Sequence, residues 1–259
     1  MVALAVALTA AGCGGGEESP RRESDVESQI KEKLAENRKA LPNDKSSQAA
    51  VSKRSVEEFV RLYQRLGFFE NERPEDVVSR LDRAYRRDWG EEPRIRTRLD
   101  ELALLGYGSH RVWFQDIERD VIEGNDEYAL TLREWARISR GAFAPRRIRE
   151  QWRSEEGPVT ISFDLNGRAR AVRAESQGDF LDLCVLTTGI NPLIAKSGRQ
   201  FAIYRPDAEL GQMAFVLTIT DRERRLLNKQ GWVFAGPDEV RFAFGYGQLY
   251  EGGQVAPCE

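Results

Sequence analysis

The sequence predicts an α+β fold: a helical N-terminal half packed against a mainly antiparallel β-sheet, with one or two further helices. Two observations carry this. Apolar residues recur at a period near 3.6 from Ser55 to Arg153, then at a period near 2 from Gly157 onward. The pair Asn166-Gly167 is a strong two-residue hairpin signal in the middle of the second region. A run of helices followed by a run of strands belongs to the α+β class.

The helices are read in order. Ser55 and Glu58 stand in capping-box spacing, with Val56, Phe59, Val60, Tyr63 and Leu66 on one face and Gly67 as the stop. Pro74 opens a second helix that turns Val77, Val78, Leu81 and Tyr85 inward. Leu99, Leu102 and Leu105 define a third, ended at Gly106. Asn125 or Asp126 opens a fourth, with Tyr128, Leu132, Trp135 and Ile138 inward and Gly141 closing it. Pro145 to Arg153 reads as a fifth, short and basic helix.

The strands follow. Val159, Ile161, Phe163 and Leu165 alternate with polar residues. The Asn166-Gly167 turn sets the register, placing Phe163 opposite Arg170, Ile161 opposite Val172 and Val159 opposite Ala174. Phe180 to Leu186 is apolar enough to be buried in either secondary structure. Asn191-Pro192 starts a short helix, Phe201 to Arg205 is a strand, and Met213 to Ile219 alternates as another. Thr220 and Glu223 cap a helix holding Leu226 and Leu227, which Gly231 ends. Trp232 to Ala235 and Val240 to Phe244 read as closing strands.

The chain has 259 residues, 41% hydrophobic and 31% charged, with a formal net charge of -3. That composition excludes wholesale disorder and a dense disulfide scaffold. It gives no global drive toward nucleic acid, which is not an expected partner. One histidine, His110, excludes a site built mainly from histidines, and no cofactor-binding motif is read. Lys and Arg total 39, and from Arg54 onward the basic residues are almost all arginine, whose fork suits phosphate and carboxylate.

Residues 2–11 form an apolar run of signal-core length, too short to span a bilayer as a helix. It ends in Ala10-Ala11-Gly12-Cys13, followed by Gly14-Gly15-Gly16. This resembles the lipobox of bacterial lipoproteins. No Lys or Arg precedes the run, which a signal start upstream of Met1 is one way to explain. The resemblance implies a signal peptide over 1–12, a diacylated Cys13 as the mature N-terminus, and a protein of the cell envelope held to the membrane by that lipid. Residues 13–54 then read as a polar, partly helical tether. Residues 55–259 are the body, helical over 55–153 and sheet-rich over 154–259. With Cys13 lipidated, Cys184 and Cys258 are left to pair in an oxidising compartment. The bond would close a loop of about 75 residues, worth about 4 kcal/mol in the chain-entropy model.

Candidate chemistry is sparse. His110, in a Gly-Tyr-Gly-Ser-His turn, is the one side chain titrating near neutrality without help, and is a candidate general base with Cys184 or a serine. Asp116, Glu118, Asp120, Glu123, Asp126 and Glu127 cluster around Gly124 but miss the spacing of a calcium loop, so no metal site is assigned. Arg133, Arg137, Arg140, Arg146, Arg147, Arg149 and Arg153 fall in one short stretch opposed only by Glu134 and Glu150. The first five are the anion-binding candidates, for a phosphate-bearing envelope ligand or an acidic protein partner. Two functions stay open: a membrane-anchored lipoprotein whose body binds or scaffolds, and a hydrolase-like envelope enzyme.

Overall fold

A computed structural model describes residues 54–155, 157–175, 178–204 and 213–236. The α+β class holds, and the strands divide into two three-stranded antiparallel sheets. In chain order the elements are α1 (Val56–Arg65), α2 (Pro74–Trp89), α3 (Arg98–Gly108), β1 (Val112–Asp116), α4 (Glu127–Ile138), β2 (Arg146–Trp152), β3 (Val159–Leu165) and β4 (Arg168–Ala174). A π-helical turn (Val185–Ile190) runs into α5 (Asn191–Ile194) and a short 3₁₀ turn. Then come β5 (Arg199–Ile203), β6 (Met213–Thr220) and α6 (Asp221–Lys229).

Helix starts follow the capping residues. Ser55 Oγ accepts the Glu58 N–H at 3.2 Å, and the Glu58 carboxylate accepts the Ser55 N–H at 2.9 Å. Thr97 with Asp100 and Thr220 with Glu223 repeat the reciprocal pattern on α3 and α6. The start of α4 is solved differently. Asp126 sits in the left-handed region and makes no side-chain cap bond. The carboxylate of Glu150, on β2, accepts the Ala129 N–H at 2.7 Å instead.

The sheet in the order β1-β6-β5 is the middle layer of the molecule. Met213, Phe215, Leu217 and Ile219 of β6 pack with Phe59, Tyr63, Leu81 and Leu104 of α1–α3. The intervening Ala214 and Val216 pack on the other side with Tyr128, Leu132 and Trp135 of α4 and with Ile161 and Phe163 of β3. Successive side chains of a strand point to opposite faces, so one strand supplies both cores. The second sheet, in the order β2-β3-β4, covers this second core with one face.

The hairpin register is as read from the sequence: Phe163 faces Arg170, Ile161 faces Val172 and Val159 faces Ala174. Three expectations are corrected. Residues 146–152 form strand β2, not a helix. Ile148, Glu150 and Trp152 alternate with the more exposed Arg149 and Gln151, and a register irregularity between Arg146 and Arg149 places Arg147 at a positive φ of 54°. Strand β1 interrupts the helical half, because Val112–Asp116 finds its partner a hundred residues later in β6. Trp232 to Ala235 is not a strand, although Phe234 makes an isolated bridge to Tyr204. The strand expected over Val240 to Phe244, the segment before Arg54 and Cys258 lie outside the described residues.

Candidate anion-binding surface

The structure divides the predicted arginines between two environments. Arg140, two residues past α4, is exposed but already committed to acidic side chains. It pairs with Glu70 from the α1–α2 loop and lies 3.5 Å from the Glu223 carboxylate. Glu223 is the centre of a network that the sequence did not mark. Arg111 reaches it at 3.0 Å and Arg199 at 3.7 Å. Arg111 is buried, donates to the Leu66, Gly67 and Thr218 carbonyls, and stacks 4.7 Å from the Phe68 ring. Burial lowers the Arg111 pKa, and Glu223 opposes that shift. Gly67 makes room for it: at φ +86° a Cβ there would lie 2.7 Å from the guanidinium. This network ties the α1–α2 turn to β1, β5, β6 and α6.

A second buried network joins Glu101, Arg54, Arg98 and Tyr63. The fully buried Glu101 carboxylate accepts from Arg54 at 2.7 Å, from the Tyr63 hydroxyl at 3.0 Å and from Arg98. Trp232 donates its indole N–H to the Tyr63 oxygen at 3.2 Å. Burial raises the Glu101 pKa, and burial beside that carboxylate pushes the Tyr63 hydroxyl far up. A third network holds buried Arg119 against Glu127 and Glu134, with Thr131 and Gln115 accepting from it. Glu127, expected among the acidic cluster, is thus an internal counter-ion. Among the described residues no group of three or more His, Cys, Asp and Glu side chains is placed to hold a metal ion.

The other environment is the β2-β3-β4 sheet. Arg146, Arg147, Arg149, Arg168 and Arg170 are all exposed. The carboxylates within these three strands are Glu150 and Asp164. Glu150 is turned toward the start of α4, and burial raises its pKa. Asp164 is held by Arg147. The first four residues of β4, Arg168 to Ala171, are exposed without a break, while Val172 and Ala174 beyond them are buried. Arg168 and Arg170 were missed as binding candidates because they lie across the turn from the basic run, and only the hairpin brings them beside it. Arg133 and Arg137 are exposed on α4, which packs on β1 and β2.

The remaining candidates are not brought together. His110 is exposed in the turn between α3 and β1, and no hydrogen bond or ion pair reaches it among the described residues. Cys184 is buried at the start of the π-helical turn and is itself partnered. Cys13 and Cys258 lie outside the described residues. No helix among the described residues is long and apolar enough to cross a membrane. Comparisons with protein-family models, with curated proteins and with solved structures gave no match.

Proposed function

We propose that this protein is a lipid-anchored lipoprotein of the cell envelope, attached through Cys13, whose body binds an anionic ligand or partner rather than turning over a substrate. The observation that carries the binding reading is the group of exposed arginines on β2 and β4, whose one outward carboxylate, Asp164, is already held by Arg147. Arginines that the fold needs for itself are buried on Glu223, Glu101 and the Glu127–Glu134 pair. Those on the sheet have no comparable internal duty, and their guanidinium forks match phosphate, sulfate and carboxylate.

The anchor reading rests on the lipobox-like Ala10-Ala11-Gly12-Cys13 segment. The proposed Cys184–Cys258 disulfide belongs to the same compartment. It is supported by the burial of Cys184, a position where the bond would be shielded from exchange.

Two measurements test the reading. Intact mass of protein from its native membrane fraction should show a chain beginning at Cys13, heavier by a diacylglyceryl group, that gains two mass units on reduction. An unprocessed chain would refute the anchor. Retention on immobilised dextran sulfate should fall for the Arg149→Gln/Arg168→Gln double variant and not for Arg83→Gln on α2. Equal retention of both variants would refute the binding surface.

A further inference from the structure

Resting on the anionic-partner reading, we infer that the open end of the β2-β3-β4 sheet docks on an anionic phospholipid surface, as a second membrane contact beside the lipid at Cys13. Cross-strand partners share a face. Arg168 lies opposite Leu165 and Arg170 opposite Phe163, so both stand on the side of the core. Arg146 lies opposite Asp164, on the other side, with Arg149 opposite Ser162. Guanidinium groups therefore leave this end of the sheet from both of its faces.

A single extended polymer lying along one face would meet only part of this set. A planar array of phosphates meets all of it when the sheet is presented end-on. The residues between the arginines permit that approach. Asn166 and Gly167 form the turn, and Ala169 and Ala171 are exposed and small, so nothing bulky holds the end away from a surface. Arginine stems tolerate the apolar boundary beneath the headgroups while the forks remain at phosphate level.

The test uses the full chain carrying Cys13→Ser, so that no lipid is attached, and vesicles of phosphatidylcholine with or without phosphatidylglycerol. Co-sedimentation should require phosphatidylglycerol and weaken steeply with added salt. Each of Arg146→Gln, Arg168→Gln and Arg170→Gln should lower the partition coefficient about fivefold. The matching lysine variants should retain it, since headgroup attraction needs charge and not a fork. All these positions are exposed, so unchanged thermal midpoints verify folding. Equal binding to vesicles without phosphatidylglycerol, or binding unaffected by the triple glutamine variant, overturns the inference. Retention on dextran sulfate without binding to phosphatidylglycerol vesicles also overturns it, while leaving the anionic-partner reading intact.

Discussion

The two sheets differ in what covers them. Strand β6 is buried on both faces, with Phe215 against the helices of one core and Val216 against the other. Strand β3 buries one face only, and its partners β2 and β4 carry exposed arginine. The difference shows in how each region uses the same residue type. Near the first sheet Arg111 and Arg199 are drawn into a network around Glu223, where each guanidinium is part of the packing. On the second sheet the guanidinium groups are left to solvent. Composition counts both kinds alike, and topology separates them.

Phe215→Ala should cost about 3–5 kcal/mol of stability, read by urea unfolding, because the side chain is fully enclosed and its cavity cannot collapse against two fixed layers. A loss under 1 kcal/mol would mean that the middle sheet is not sandwiched as described. Glu101→Leu should cost about 3 kcal/mol in the same assay, since it strands Arg98, Arg54 and the Tyr63 hydroxyl away from water. Gly67→Ala should cost about 1–3 kcal/mol, from the left-handed backbone and from displacement of Arg111. Its partner test is Gly167→Ala at the exposed hairpin turn, where φ is also positive but no atom lies within 4 Å of the added methyl group. A loss at Gly167 as large as that at Gly67 would show that the contact with the Arg111 guanidinium adds nothing to the backbone strain that both sites share.

Glu150 lies where the two regions meet, and its test is one of pH. Burial disfavours its carboxylate, so the folded chain holds this proton to higher pH than the unfolded chain does. The folded state therefore gains stability as the group protonates, and loses it as pH rises through the window just above the usual value of 4.5. Glu150→Gln keeps an acceptor for the Ala129 N–H and removes the titration. Unfolding measured between pH 4 and 7 should show a shallower decline for the variant; an unchanged slope would place the titration elsewhere. The smallest effect is expected on the bare sheet: Arg149→Gln should change stability by no more than about 0.5 kcal/mol by thermal melting. A larger loss would mean that this face has structural duties after all.

Much of the fold was legible where a local signal fixes the geometry. The reciprocal caps at Ser55 and Thr220 and the Asn-Gly turn determine their neighbourhoods without help from distant residues. Strand β2 is hidden in the sequence because Pro145 and a basic run mimic a helix start, while the inward positions hold Glu150, an acid whose partner is the start of α4. Strand β1 was invisible because five residues carry little periodicity and the partner strand is remote in sequence. Arg140 lies in the same basic run as the free sheet arginines, yet its guanidinium is committed to Glu70 and Glu223. Nothing in the order of residues reveals that Arg111 and Arg199 meet at the same carboxylate. The exposed set was half legible: Arg146, Arg147 and Arg149 lie in one run, and the hairpin register brings Arg168 and Arg170 beside them.

The Arg54–Glu101 pair also sets how the body would answer a pull. Arg54 bridges Ile95 through its backbone and grips Glu101 through its side chain, just ahead of the first turn of α1. Tension arriving from the N-terminal side is therefore met before it can unwind that helix. Through Glu101 and Tyr63 it is passed to α3 and to Trp232 near the far end of the described chain. Three distant stretches of sequence would have to yield together, so detachment of the leading segment should be an abrupt event rather than a gradual peeling.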